Sequence, residues 1–186
     1  MTKIAAMLGS RDHGGRTATA VESLLQGAAA EGAEGARVFL PEAKVRRCRQ
    51  CEDNGWGLCR SEGRCVIDDD FASLVEQLRS SDVAVFATPV YFSDLSESMR
   101  AFLDRLRRVC RHERGKAGLE GMPAIGICVA GGGGGGAPAC TVSLEKVLST
   151  CGFAVVDMVP VRRQNLDLKR RVLADTGGWL AKLELP

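Results

Sequence analysis

Four cysteines crowd into one segment of this 186-residue chain, at Cys48, Cys51, Cys59 and Cys65. Thiolates gathered in this way are ligands or redox groups. Four of them can hold an iron–sulfur cluster or a tetrahedral zinc ion, and they can also act as free, redox-active thiols. Cys48 and Cys51 form a C-x-x-C pair; seven residues then separate Cys51 from Cys59, and five separate Cys59 from Cys65. Neither the pair nor the count selects a metal, and Arg49, Arg60 and Arg64 are compatible with depressed thiol pKa values. Cys110, Cys128, Cys140 and Cys151 are scattered through apolar or helical surroundings and read as small core hydrophobes.

Three further stretches carry chemistry of another kind. The first is Gly9-Ser10-Arg11-Asp12-His13-Gly14-Gly15-Arg16-Thr17, whose small residues permit a tight turn before a helix start. Unpaired N–H groups there can surround an anion, with hydroxyls from Ser10 and Thr17 and charge from Arg11 or Arg16. The spacing fits neither a dinucleotide fingerprint nor a Walker loop, which leaves a terminal phosphate as the expected ligand, or a ligand-free turn. The second stretch, Thr88-Pro89-Val90-Tyr91-Phe92-Ser93-Asp94, holds the one tyrosine of the chain beside a phenylalanine. Its backbone could read the edge of a flat heterocycle, or its aromatics could simply cover a sheet end. The third is the run of glycines from Gly131 to Gly136. Ordering such a run costs much backbone entropy, so it reads as a close approach to a bulky planar ligand, or as a floppy surface loop.

Elements of regular structure must bring these stretches together. Short apolar runs at Lys3–Leu8, Ala36–Leu40, Asp82–Ala87, Ala124–Ala130 and Phe153–Val159 suit strands buried on both faces of a parallel sheet. Helical spacing of apolar residues recurs at Thr17–Glu31, Asp70–Arg79, Glu97–Cys110 and Cys140–Cys151. A terminal helix is expected over Leu166–Leu183, interrupted at Gly177–Gly178. The pattern is β-α repeated five times, an α/β doubly wound sheet in one domain spanning 1–186, with 46–65 as a Cys-rich insertion lacking secondary structure. In such a sheet ligands bind outside the carboxyl ends of the strands, where all three loops emerge.

Taken together, the loops resemble the multimeric flavodoxin-like superfamily that includes the NADPH-dependent FMN reductases and the iron–sulfur flavoproteins. The resemblance runs from Ile4 to about Gly152. It is strongest in Phe86-Ala87-Thr88-Pro89-Val90-Tyr91-Phe92 and in Met99-Arg100-Ala101-Phe102-Leu103-Asp104-Arg105. It implies a flavodoxin-like five-stranded parallel sheet of strand order 2-1-3-4-5, with FMN as cofactor. Ser10, Arg11, Arg16, Thr17 and Ala18 would surround the phosphate. Pro89, Val90, Tyr91 and Phe92 would contact the ring or ribityl chain, and Gly131 and Gly132 would close the other side. The family commonly has a basic residue where this chain has Asp12, which is therefore expected to face solvent. Asp104 and Arg105 match the family and are expected to order the adjacent loop or a subunit contact. The iron–sulfur flavoproteins carry four cysteines at this place, so the resemblance implies a [4Fe-4S] cluster on Cys48, Cys51, Cys59 and Cys65, with the count retained and the spacing altered.

The function implied is an FMN-dependent oxidoreductase using NAD(P)H as co-substrate and passing electrons to a quinone, a flavin or an oxygen species. No side chain is assigned an acid–base role, because the flavin N5 carries the chemistry. The alternative is an electron carrier exchanging with ferredoxin-like proteins through the cluster. A homodimer or homotetramer is implied, with the face around Met99–Val109 as the expected contact. Net charge is only +2, so the basic run Arg105–Arg114 reads as a solvated face and not as a nucleic-acid site. His13 and His112 flank no G-x-S-x-G turn, which argues against hydrolysis. No apolar stretch approaches the roughly 18 residues of a membrane span, and Gly9-Ser10-Arg11 ends the first apolar run too early for a secretory signal. A cytoplasmic location is expected.

Overall fold

The structure, a computed structural model, describes residues 1–183. Its elements follow in the order β1 (Lys3–Leu8), α1 (Arg16–Ala30), β2 (Glu34–Phe39), α2 (Leu58–Ser61), α3 (Phe71–Arg79), β3 (Val83–Pro89), α4 (Glu97–Val109), α5 (Glu113–Lys116), β4 (Pro123–Ala130), α6 (Ala137–Cys151), β5 (Ala154–Arg162) and α7 (Leu166–Ala181). The five strands form one parallel sheet in the order β2-β1-β3-β4-β5. This is the flavodoxin-like order expected from the sequence. Strand order reverses between β1 and β3, and Ile4 pairs with Gly35 on one side and Val83 on the other.

Alternation along each strand divides the apolar residues between two cores. Ala5, Met7, Ala84, Phe86, Ala124 and Cys128 pack under α3, α4 and α6. Ile4, Ala6, Leu8, Val83, Val85, Ala87, Ile125 and Ile127 pack under α1 and α7. Burial on both faces is what makes these strands read as unbroken apolar runs.

Two expectations are corrected here. Helix α7 runs through Gly177–Gly178 without interruption. A methyl on Gly177 would strike the Leu24 carbonyl of α1, and one on Gly27 would strike the Ala174 carbonyl of α7. These glycines are where two helices touch backbone to backbone, not a break. The apolar side of α4 is likewise spent inside the protomer, since Met99, Phe102, Leu103, Leu106 and Val109 are all buried. A subunit contact around Met99–Val109 would have to use the other side of α4, where Glu97 and Arg107 are exposed. The Cys-rich insertion also holds a single helical turn, α2. No helix of the described residues is long and apolar enough to cross a membrane.

Candidate functional site

The carboxyl ends of β1, β3 and β4 open onto a cavity of about 520 Å3. One wall is the start of α1. Its N-cap is Gly15, which has no side chain to satisfy the helix, and the first backbone bond of the turn runs from the Thr19 N–H to the Gly15 carbonyl at 2.9 Å. The N–H groups of Arg16, Thr17 and Ala18 have no acceptor among the described residues. They concentrate the positive end of the helix dipole at the cavity wall. Arg16 is exposed, makes no carboxylate pair among the described residues, and points a guanidinium nitrogen toward Gly131 across the opening. Thr17 is buried with its residue at the lining, and Ser10 completes this wall.

Asp12 is exposed, as expected, but it also lines the cavity. Its carboxylate turns back on its own loop and accepts the Gly14 N–H at 3.0 Å, while its N–H donates to the Ser10 Oγ at 3.3 Å. The Asx turn so formed engages the charge within the loop. His13 lies outside the lining; its ring stacks on Phe39 at 3.7 Å and meets Glu42 at 2.5 Å.

The opposite walls are backbone. Thr88, fully buried, accepts the Ser96 N–H at 3.0 Å and donates to the Pro89 carbonyl at 2.9 Å. Ser96 in turn caps α4, so the helix start and the strand end are one rigid unit. The Val90 N–H donates to the Val129 carbonyl at 3.0 Å. Tyr91 and Asp94 exchange both backbone bonds, at 3.0 and 2.9 Å, across a two-residue turn in which Phe92 and Ser93 have φ of 50° and 65°. Such a turn normally takes Asn-Gly; a phenylalanine there costs on the order of 1–2 kcal/mol. The turn throws Phe92 fully into solvent and leaves Tyr91 half-exposed at the cavity. In the glycine run, Gly132, Gly134 and Gly136 have φ of 44°, 80° and 80°, which explains glycine at alternate positions. The loop is tied, not floppy: Gly134 N–H donates to the Gly131 carbonyl at 2.7 Å, and Gln164 donates to the Gly133 carbonyl at 3.1 Å.

Of the residues singled out from the sequence, Ser10, Arg16, Thr17, Pro89, Val90, Tyr91, Gly131 and Gly132 share this lining. Arg11 and Phe92 point elsewhere, and the Ala18 methyl is in the core, which leaves only its N–H near the site. Ala130 and Gly135 of the glycine loop also line the cavity, and Val129 does so without having been singled out.

All four clustered cysteines line a second, separate chamber between the insertion and α4. Leu58, Val66, Ile67 and Val109 make it apolar, while Arg49 and Arg108 bring positive charge. The Arg49 Nε donates to the Cys51 Sγ at 3.4 Å. That hydrogen bond first, and then the charges of Cys51 and Cys65, hold its guanidinium above the usual pKa. Gln50 and Glu52 on either side of Cys51 have φ of 52° and 56°, a strain of roughly 1–3 kcal/mol each that the surroundings must enforce. Trp56 stands outside the lining, between Arg108 at 4.7 Å and Arg60 at 5.7 Å, and so anchors the loop to α4. Among the described residues no three His, Cys, Asp or Glu side chains are gathered closely enough for a single metal ion. The thiols surround a space and do not converge on a point.

The chamber is closed by Arg105, a residue the sequence pointed to only as ordering the adjacent loop or a subunit contact. Arg105 is 1% exposed and forms a bidentate pair with Asp69, at 2.8 and 2.9 Å. It also donates to the Arg46 carbonyl at 3.1 Å and to the Ile67 carbonyl at 3.4 Å, and it lies over the Phe71 ring. Those carbonyls flank Cys48 and Cys65, so one guanidinium pins both ends of the cysteine segment. Burial alone would push the Asp69 carboxyl up, but hydrogen bonds from Arg105 and from the Arg46 and Phe71 N–H groups bring it below the usual range. The Arg105 Nε is the one buried side-chain nitrogen or oxygen without a partner among the described residues, a state that costs on the order of 1–3 kcal/mol in a dry site.

The remaining cysteines behave as expected. All four are buried, and Cys128 and Cys151 are pushed up by hydrogen bonds to Cys140 and Cys110 and by burial, which keeps them neutral.

The sequence pattern of the NADPH-dependent FMN reductase family matches residues 2–165. An iron–sulfur flavoprotein of Methanosarcina thermophila is 32% identical over 103 residues, 55% of this chain and 51% of that protein. One from Methanocaldococcus jannaschii is 30% identical over 132 residues, 70% of this chain and 65% of its own length. The matched part thus spans about half to two thirds of these relatives. The NAD(P)H:quinone oxidoreductase of Methanothermobacter marburgensis has a similar fold, with a TM-score of 0.72 at 15% identity, covering 99% of this chain and 98% of that one.

Proposed function

The chain belongs to the NADPH-dependent FMN reductase family, and from that premise we propose that it is an FMN-dependent oxidoreductase, taking electrons from a reduced nicotinamide and passing them to a small acceptor such as a quinone, a flavin or an oxygen species. One observation carries the reading: the unpaired N–H groups of α1, Arg16 and Thr17 meet the backbone walls at Pro89–Tyr91 and Gly131–Gly132 in a single cavity. Bare N–H groups and an unpaired guanidinium suit a terminal phosphate, and walls of main chain suit the edge of a flat ring.

When bound, FMN supplies an N5 centre that accepts a hydride or single electrons. The chain's part is to bind and orient it. Arg16 neutralises phosphate charge, Thr17 and Ser10 donate to its oxygens, and the Thr88–Ser96 hydrogen bonds hold the Pro89–Tyr91 wall rigid. Tyr91 covers the cavity mouth, where it limits water and leaves a face for the second reactant.

The cysteine chamber fits an iron–sulfur cluster better than a lone zinc ion. Four thiols spread around an apolar, cationic space match an anionic cluster, whereas sulfurs on one zinc lie only ~3.8 Å apart. Cys48, Cys51, Cys59 and Cys65 would be its ligands. The two linings share no residue. Arg46, Arg47 and Arg49 border an open cleft beside the chamber, the surface that an acidic, ferredoxin-like protein would meet in the carrier alternative. A homodimer or homotetramer, checked by light scattering, would cover the exposed Phe92 beside the cavity.

The test is turnover by the FMN-loaded protein. Oxidation of a reduced nicotinamide dependent on a quinone supports the enzyme; reduction only by a protein donor supports the carrier and removes the enzyme reading.

A further inference from the structure

We propose, resting on the reading of the cysteine chamber as a cluster site, that Arg105 is a positioning residue for that site whose Nε–H donates a hydrogen bond to a sulfur of the bound cluster. Three observations converge on it. Arg105 lines the chamber together with all four cysteines. Its residue is 1% exposed, so bulk solvent does not reach it. Both terminal nitrogens are engaged by Asp69 and by the Arg46 and Ile67 carbonyls, and only Nε is unpartnered. A buried N–H without an acceptor needs an explanation, and a thiolate or sulfide of an anionic cluster supplies one.

The other two arginines of the lining differ. Arg49 is exposed and already bonded to Cys51, and Arg108 donates to the Gly55 carbonyl at 2.7 Å. Asp69 balances the charge of Arg105, so the pair brings little net charge to the chamber. Its influence comes from one oriented N–H dipole. Such a donor favours the more negative, reduced state of the cluster and raises its potential. Because the same guanidinium bonds backbone on both sides of the segment, it fixes the ligands and tunes them together.

The experiment uses the anaerobically reconstituted full chain and reads iron and sulfide content, and the cluster midpoint potential by electron paramagnetic resonance, with the FMN potential as internal control. Arg105→Lys keeps a cation for Asp69 and removes the Nε–H. The expected result is a cluster potential shifted negative, with an unshifted FMN potential. An unshifted cluster potential in Arg105→Lys, with iron reduced or not, leaves Arg105 as a structural staple alone and overturns the proposal. If wild type takes up no iron and sulfide, the cluster reading itself fails and the proposal with it, an outcome distinct from a normal wild-type cluster with an unshifted variant. Should Arg105→Lys not fold, protein with isotopically labelled arginine and Arg49→Lys decides. A nitrogen coupling to the reduced cluster by electron–nuclear double resonance supports the donor, and its absence overturns it.

Discussion

Arg105 on α4 and Asp69 after the cysteine segment form a two-pronged ion pair, Nη1 to Oδ2 at 2.8 Å and Nη2 to Oδ1 at 2.9 Å, with side chains only 1% and 3% exposed. Removing one partner strands the other as a buried charge. Asp69→Asn is therefore expected to cost roughly 3–5 kcal/mol in denaturant unfolding, while Asp69→Leu with Arg105→Met costs less than Asp69→Asn alone. Proteolysis within 46–65 should rise in step. A double variant less stable than Asp69→Asn would mean the pair is not what holds the segment.

The same pair predicts acid sensitivity. Burial opposes ionisation of Asp69, but its hydrogen bonds win and the folded carboxyl lies below the usual range. The unfolded value is about 3.9, so the stabilisation is fully present above that pH and disappears as pH falls through the lower folded value. Acid unfolding followed by fluorescence should steepen below about pH 4, and Asp69→Asn should flatten that limb. An identical acid limb in both proteins would remove Asp69 as its cause.

Gly177→Ala and Gly27→Ala each force a methyl into the facing helix backbone. Overpacking of this kind costs about 1–3 kcal/mol, or roughly 2–12 °C in Tm for a chain of this size. Gly178→Ala, whose added methyl meets nothing closer than 3.6 Å, is the control and should be neutral or slightly stabilising.

How far these features were legible in the sequence depends on what each residue does. The central strands β1, β3 and β4 declared themselves because both their faces are covered, whereas edge strand β2 is mostly exposed. Gly177–Gly178 misled because a glycine kept for contact looks the same as one that ends a helix. Arg105 was expected to order a loop or a subunit contact, but its place at the cysteine chamber was hidden in a basic run whose members look alike. Its register was the available clue: it falls three residues after Phe102, beside Leu106 on the buried side of α4, and a cation there requires an acid such as one of Asp68–Asp70. The loops of the cavity were readable by composition. The outward turn at Phe92 was not, because two consecutive left-handed residues in Phe92-Ser93 run against local preference.

That turn is itself testable. Phe92→Gly relieves a left-handed aromatic that makes no core contact, so stability should hold or rise by up to about 1 kcal/mol, with FMN affinity unchanged. A large loss of FMN binding would place the ring against the cofactor.

Arg16→Ala should weaken FMN by about 10–100-fold through loss of a charge-assisted bond. Riboflavin, which lacks the phosphate, should bind both proteins equally; a matching loss for riboflavin would move Arg16 away from the phosphate.

The most direct measurement is the visible spectrum of the FMN-loaded protein during anaerobic titration with NADPH and NADH. Stoichiometric FMN bleached by a reduced nicotinamide is the expected result. A protein that retains no FMN after reconstitution, or whose bound FMN is untouched by either nicotinamide, would contradict the proposed oxidoreductase.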